Sequence, residues 1–205
     1  MKASIVASVL LTVALGCAPT RMSPARAAAP AARSAALDEM LRSDLAADHA
    51  FPWSSTRRLV WNDFQGTPAT GGTEGAVTAY GLFYAWKCLG QAFEFRVVAA
   101  FRRRQSWVKE AVLRDTTESR RTLAHEQTHF DLTELHARRM RRYFADLPGA
   151  CRKADGDLHE LAQRLVREEK VEQRRYDAET NHGLRLRPQA MWSADVARRL
   201  AAPSR

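Results

Sequence analysis

The sequence predicts an α+β fold, in which an N-terminal antiparallel β-sheet packs against one long helix and further C-terminal helices. Between residues 58 and 112, β-branched and aromatic runs alternate with turn residues, a pattern typical of strands. From residue 115 onward, apolar residues recur at helical spacing. Strands that precede helices, rather than alternating with them, favour a sheet covered by helices on one face. We expect a single domain over residues 46–205.

The N-terminus has the features of an export signal. Lys2 is followed by an apolar run from Ala3 to Leu15, which is short for a membrane span. We assign residues 1–17 to this signal, and the lipobox-like Leu-Gly-Cys that ends at Cys17 would make this cysteine a lipid anchor. Cleavage near Ala27, after a small-x-small motif, is the alternative. The protein is therefore expected in the periplasm, or anchored to the envelope as a lipoprotein.

Residues 18–45 are rich in Ala, Pro, Ser and Arg, and we predict that they form a disordered tether. Strands are predicted over residues 59–64 and 77–86, and a third where Phe93, Phe95 and Val97 alternate with charged residues. The glycine-rich residues 66–75 between the first two are predicted to be a loop. In an oxidising compartment, Cys88 and Cys151 are expected to form a disulfide, with two buried free thiols as the alternative.

The long helix is framed by a capping box, Asp115 to Glu118, and by the stop Pro148-Gly149, which gives it about eight turns. It contains the segment His125-Glu126-Gln127-Thr128-His129. Histidines four residues apart lie one turn above each other and can bind one ion. Glu126 lies about 100° round the helix, where it can act as a general base without being a ligand.

The two histidines and Glu126 share a helix face with Phe130 and Met140, so we expect them to point into the interior. Buried polar groups of this kind are costly unless something binds them. We predict that one Zn²⁺ ion does so, and that zinc-bound water hydrolyses a peptide or amide bond with Glu126 as the general base. A buried hydrogen-bonded network is the alternative.

Motifs on both sides of the histidine pair carry a family resemblance. They are Trp61-x-Asp63-Phe64, Ser106-Trp107, Phe130-Asp131, Glu134, Ala137-Arg138 and Tyr176-Asp177-x-x-Thr180-x-His182-Gly183. With these motifs the chain resembles a bacterial family described as predicted secreted zinc-dependent proteases of unknown function, over residues 58–195. The resemblance implies that residues 46–205 form a zincin-like catalytic domain.

A catalytic zinc usually has three protein ligands, so a third must be found beside the two histidines. The resemblance points to His182, which also follows a helical segment and precedes a glycine that permits a tight turn. Glu169 and Glu172, on an otherwise apolar stripe of the next helix, are the alternatives. Glu134 is interpreted as a structural carboxylate paired with Arg138.

Three further residues near the motifs are candidates for supporting roles. Tyr176 is expected to pack, with stabilisation of an oxyanion as the alternative. Asp131 and Asp177 are candidates for orienting a ligand imidazole through its second nitrogen. The second helix is predicted to start near Asp157, and a last amphipathic segment to cover about residues 192–200.

The formal net charge of +9 suits an exported protein that meets anionic lipids and acidic wall polymers. Nucleic acid is not an expected partner, because the signal removes the chain from the cytoplasm and no binding motif is visible. We expect a zinc metallopeptidase of the cell envelope, acting on a peptide, an envelope protein or a peptidoglycan peptide. The alternative is a non-catalytic, zinc-stabilised binding or assembly protein of the envelope.

Overall fold

The computed structural model describes residues 30–202, with side chains from residue 35 onward. It has an α+β architecture. In chain order, its elements are α1 (Pro30–Ala47), β1 (Ala50–Pro52), a 3-10 helix (Trp61–Asp63), β2 (Ala76–Val77), β3 (Tyr80–Leu89), β4 (Ala92–Arg102), β5 (Trp107–Val108), α2 (Glu110–Arg114), α3 (Thr116–Ala145), a 3-10 helix (Ala150–Arg152), α4 (Asp155–Thr180) and α5 (Leu186–Ala201).

The main sheet is antiparallel, as predicted, and has the strand order β1-β4-β3. A tight hairpin at Gly90, which has a positive φ of 62°, pairs Leu89 with Ala92 and sets the β3–β4 register. On the other side of β4, Ala50 of β1 pairs with Arg102. The short strands β2 and β5 form a second antiparallel pair. The alternation of apolar and charged residues correctly predicted β4.

Helix α3 lies between the sheet and the C-terminal helices. At its C-terminal half, Phe144 stacks on Phe95 of β4 at 4.0 Å, in a core shared with Leu165 of α4. On another face, Leu132 and Leu135 pack with Val196 of α5. Because it is covered on more than one side, every residue from His125 to Ala137 is buried. The site therefore lies in the most enclosed part of the longest helix.

The caps and starts of the helices follow the sequence closely. Asp115 caps α3, since its carboxylate accepts hydrogen bonds from the backbone amides of Thr117 and Glu118, at 2.8 and 2.9 Å. Helix α4 begins at Asp155, two residues before the predicted start at Asp157, and α5 covers the predicted amphipathic segment. The glycine-rich residues 66–75 form a loop.

The tether prediction over residues 18–45 is wrong for the part that the structure describes. Residues 30–47 form α1, so the folded part extends before residue 46. Leu37, Leu41 and Leu45, spaced by four residues, are all buried, and the first two pack with Ala85 of β3. This single row of leucines forms the apolar face by which α1 packs against the sheet. The export signal, Cys17 and the cleavage site near Ala27 lie outside the described residues.

The strand predicted over residues 59–64 is also wrong, because this segment forms the 3-10 helix Trp61–Asp63 instead. The Asp63 carboxylate accepts hydrogen bonds from the Val60 amide at 3.1 Å and from Arg57 at 2.6 Å, which closes a local turn. The Leu59 amide donates to the side chain of Gln127 at 2.7 Å. The backbone amides of Leu59 and Val60 therefore donate to side chains and are not available to a neighbouring strand.

The structure pairs the two cysteines as predicted. The Cys88–Cys151 disulfide joins the end of β3 to the 3-10 helix that follows α3, and so ties the sheet to the helical part of the chain. Among residues 30–202, no helix combines the length and hydropathy that crossing a membrane requires.

Candidate metal centre

Helices α3 and α4 bring together two imidazoles and a carboxylate. The Nε2 atoms of His125 and His129, one turn apart on α3, are 3.1 Å from each other. Oδ1 of Asp177, near the end of α4, lies 3.2 Å from Nε2 of His125 and 2.9 Å from Nε2 of His129. Each residue therefore offers one ligand atom to the same small volume.

A glutamine fixes each imidazole through its other nitrogen. Nδ1 of His129 contacts Oε1 of Gln173 at 2.7 Å, while the Gln173 amide nitrogen donates to the Glu169 carboxylate at 2.7 Å. The same amide nitrogen donates to the backbone carbonyl of His129 at 3.0 Å, and because a carbonyl only accepts, the amide orientation is set and the His129 Nδ1 must be the donor. The Nε2 lone pair of His129 then faces the shared volume, as metal binding requires.

His125 is held in the same way from α5. Its Nδ1 lies 3.0 Å from Oε1 of Gln189, which also accepts a hydrogen bond from the Tyr176 hydroxyl at 2.8 Å. The Gln189 amide nitrogen donates to Ser193 at 3.0 Å. Helix α5 thus contributes no ligand atom itself, but orients the first histidine toward the centre.

The resulting cluster is electrostatically incomplete without a cation. Oδ1 of Asp177 is buried and has no partner in hydrogen-bond geometry among the described residues, although two imidazole nitrogens lie close to it. Burial opposes ionisation of Asp177, but the two histidines outweigh it and hold the pKa of the carboxyl well below its usual range. For His129, burial favours the neutral form, yet Asp177 and Glu126 raise its pKa. The site favours one positive charge at this point, and two nitrogens with one carboxylate oxygen fit Zn²⁺.

His182, the ligand predicted from the resemblance, lies beside this group rather than inside it. Its Nδ1 is 3.6 Å from Oδ1 of Asp177, and its side chain is 60% exposed. Asn181, His182 and Gly183 all have positive φ, of 48°, 52° and 79°. A Cβ on Gly183 would lie 3.1 Å from the His125 ring, so this turn needs glycine where it meets the histidine. The structure thus brings Asp177 next to the histidine pair and leaves His182 at the rim.

The alternative ligands Glu169 and Glu172 are engaged elsewhere. Glu172 contacts His136 at 2.7 Å and Arg199 at 2.8 Å. The hydrogen bond from His136 lowers the pKa of Glu172 to about 2, since it and Arg199 outweigh partial burial. Glu169 accepts from the Gln173 amide and from Thr133. Neither carboxylate belongs to the group at the histidine pair.

Two other carboxylates have structural roles. Glu134 accepts from Arg138 at 3.0 Å and from Arg141 at 2.5 Å, which confirms its predicted pairing. Asp131 accepts from Trp53 and Gln127, both at 2.8 Å, and ion-pairs with Arg58. It does not touch a ligand imidazole, so its proposed orienting role is wrong. It instead anchors the segment before the 3-10 helix to α3.

Glu126, the predicted general base, lines the cavity at the histidine pair. Its side chain is only 4% exposed, yet it lines an open cavity of about 560 Å³ together with both histidines and Asp177. Among residues 30–202, no side-chain hydrogen bond or ion pair engages its carboxylate, which is therefore available to a molecule in the cavity. Thr122 and Arg121 of α3 and the β2 segment form other parts of the cavity wall.

Two tyrosines flank the histidines, of which the sequence singled out one. Tyr176 is fully buried and stacks on the His125 ring at 4.7 Å, which agrees with the expected packing role. Tyr80, at the start of β3, stacks on His129 at 6.2 Å and lines the cavity. Burial, with the nearby Glu169 carboxylate, raises the pKa of Tyr80 well above its ordinary value.

Sequence reasoning missed Gln173, Gln189 and Tyr80. One signal existed for the first of them, since Gln173 lies one helical turn before Asp177 and so shares its face of α4. No comparable signal marked Gln189 or Tyr80, because their relation to the histidines depends on how α5 and β3 pack.

Comparison with known proteins gives a family match over part of the chain and no activity. Residues 95–183 match the model of a family described as "Bacterial protein of unknown function (DUF922)". The matched segment runs from β4 to the turn after α4, and so contains the histidine pair, Glu126, Asp177 and His182. The search of curated proteins and the search of solved structures gave no match.

Proposed function

We propose that this chain is a zinc-dependent hydrolase of peptide or amide bonds, with His125, His129 and Asp177 as the metal ligands. The observation that carries the proposal is the convergence of two imidazole Nε2 atoms and a buried carboxylate oxygen without a hydrogen-bond partner, all within 3.2 Å of one another. With both imidazoles neutral and protonated on Nδ1, these three atoms are all acceptors, and they repel one another at such distances unless a cation lies among them.

The donor set favours zinc over other common metals. Two imidazoles and one carboxylate are typical of catalytic zinc, and three protein ligands leave a position open for water or substrate. Oxygen-rich calcium or magnesium sites are a poorer match, because they use few or no nitrogens. When bound, zinc would polarise the scissile carbonyl and make water acidic enough to deprotonate near neutral pH.

Glu126 would handle the protons of the reaction. Its free carboxylate lines the cavity beside the histidines, so it is placed to take a proton from the attacking water. The same carboxyl can then pass this proton to the leaving nitrogen, which makes it a better leaving group. The cycle restores the Glu126 carboxylate without a net change in the protein.

The surrounding residues would keep this geometry during turnover. Gln173 and Gln189 hold the two imidazoles by their Nδ1 atoms, and Tyr176 supports one of these glutamines. The export signal predicted from the sequence suggests that the substrates are envelope proteins or peptidoglycan peptides. His182, at the rim, would contact substrate or the open side of the metal.

A non-catalytic, zinc-stabilised envelope protein is the second candidate. One observation favours it: the centre joins α3 to α4, and its outer contacts extend to α5, so a metal there would also hold three helices together. Both candidates predict that a chelator lowers thermal stability. Only the hydrolase requires Glu126.

The test is the substitution Glu126→Gln, which keeps the size of the side chain but removes the base. We expect the variant to retain one zinc per chain and to lose about 10²–10⁴-fold in turnover on a peptide library. Glu110→Gln, at an exposed ion pair on α2, is the matched control and should cleave like the wild type. Unchanged turnover in the Glu126 variant would exclude the proposed mechanism. Bound zinc with no cleavage by the wild type would favour the binding protein.

A further inference from the structure

The Tyr80 hydroxyl is a donor in the cavity wall that no other described residue engages. The chain has four tyrosines, and the hydroxyls of the other three are engaged: Tyr84 with Gln163, Tyr143 with Arg164 and Tyr176 with Gln189. Tyr80 lines the same cavity as Glu126, but within the described part of the chain its hydroxyl has no hydrogen-bond partner.

The backbone around Tyr80 is held firmly, so its ring position is defined. Tyr80 pairs with Phe101 in the β3–β4 ladder. The preceding residue, Ala79, donates from its amide to Ser106 at 2.9 Å and accepts from the Arg102 amide at 2.8 Å. The ring itself lies nearly parallel to that of His129, with an interplanar angle of 16°. A side chain on such a rigid support is suited to a fixed interaction with a bound molecule.

We propose that the Tyr80 hydroxyl donates a hydrogen bond to the carbonyl oxygen of the substrate as that oxygen gains negative charge. The inference rests on the proposed hydrolase function and adds a catalytic residue to it. In the addition step, water oxygen bonds to the carbonyl carbon, its proton goes to Glu126, and the carbonyl π electrons move to oxygen. In the second step the C–N bond breaks and the nitrogen takes the proton from Glu126. Tyr80 keeps its own proton throughout.

Tyr80 fits this role better than Tyr176, for which the sequence analysis gave it only as the alternative to packing. The Tyr176 hydroxyl is buried and donates to Gln189, the residue that orients His125. If this hydroxyl turned to a substrate, Gln189 would lose that hydrogen bond. The Tyr80 hydroxyl can donate without breaking a bond within the protein. A neutral phenol is also a donor at any pH near neutrality.

The experiment compares Tyr80→Phe with the wild type, on the zinc-loaded full chain and on a peptide that the wild type cleaves. We expect kcat to fall about 10²-fold, with KM changed less than twofold and one zinc per chain retained. Tyr143→Phe, far along α3, is the matched control and should keep full activity. An unchanged kcat, or a loss confined to KM, would overturn the proposal.

A second readout does not depend on turnover. With cobalt in place of zinc, the visible spectrum reports binding of inorganic phosphate, a tetrahedral oxyanion, at the metal. We expect phosphate to bind about 10-fold more weakly to Tyr80→Phe than to the wild type, because one hydrogen bond to a charged oxygen is lost. Equal affinity, or no spectral response in the wild type, would overturn the proposal. A metal-loaded wild type that cleaves nothing refutes the hydrolase and with it the catalytic role of Tyr80, while the phosphate comparison still decides whether the Tyr80 hydroxyl donates to an oxyanion at the metal. A folded wild type that binds no metal overturns both.

Discussion

Replacing Asp177 with Asn and His182 with Ala tests which residue is the third ligand. Asp177→Asn keeps the shape of the side chain but removes the negative charge that lies 2.9 Å from His129 and 3.2 Å from His125. His182→Ala removes an imidazole that is 60% exposed and 3.6 Å from the same carboxylate oxygen. If the structure defines the ligand set, the first substitution should weaken zinc binding far more than the second.

The size of the effect follows from the position of each group. Loss of a partner that only orients a ligand costs about 10–100-fold in metal affinity. Asp177 offers its oxygen directly, so its substitution should cost at least about 100-fold, or about 2.7 kcal/mol. The substitution His182→Ala should lower zinc affinity less than about tenfold. An exposed side chain contributes little to binding when solvent competes for it.

The assay is a competition titration of zinc against a chromophoric chelator at neutral pH. Asp157→Asn, an exposed carboxylate at the start of the same helix, is the matched control and should bind zinc like the wild type. Circular dichroism would establish that each variant is folded. A larger loss of zinc affinity in His182→Ala than in Asp177→Asn would refute the argument and restore the three-histidine prediction.

Two predictions concern stability rather than activity. The pKa of Glu172 lies at about 2 in the folded chain, against 4.5 for the free group, so its ionisation stabilises the fold above pH 4.5 and this contribution is lost as pH falls toward 2. After a discount for its partial exposure, Glu172→Gln should therefore lower the free energy of unfolding by about 1–2 kcal/mol at pH 7, with a smaller difference at pH 3, in urea titrations; a difference that does not change with pH would contradict this. Replacing both Cys88 and Cys151 with Ser opens a loop closed across 63 residues and should cost about 4 kcal/mol in the same assay. A variant as stable as the oxidised wild type would show that the disulfide contributes no chain-entropy stabilisation.

The elements with strong local signals were the predictable part of the fold. The Asp115 cap and the long apolar period defined α3 to within a few residues, and the alternation around Phe95 defined β4. The α1 stripe was missed, because three leucines among alanines and charged residues give little contrast in sequence. The segment around Asp63 was misread as a strand, since the side chains that capture its backbone come partly from α3.

The same distinction applies to the site. Fixed spacing on one helix placed His125, Glu126 and His129 together without knowledge of the tertiary structure. Which residue lies beside the histidine pair as a third ligand depends on where α4 ends and how the chain turns after it. His182 adopts a left-handed conformation, and Gly183 rather than the histidine packs against the His125 ring. In the proposed centre, Asp177 takes the third ligand position, which sequence reasoning gave to His182.

The buried polar residues His125, Glu126 and His129 do not fit ordinary hydrophobic packing. The histidine pair and Glu126 lie in the most enclosed stretch of α3, where polar groups need partners. Gln173 and Gln189 satisfy the outer nitrogens of the two imidazoles, but the inner nitrogens face only each other and Asp177. Only a proton on one of these imidazoles or a bound cation can satisfy the inner nitrogens and Asp177 together.

Zinc content is the measurement that tests this account most directly. Elemental analysis of the purified chain, after dialysis against metal-free buffer at neutral pH, should give one zinc per molecule. The double substitution of His125 and His129 by Ala should abolish it, and Glu126→Gln should leave it unchanged. A correctly folded wild type that binds no zinc, even when the metal is supplied in excess, would contradict the metal centre and the hydrolase built on it.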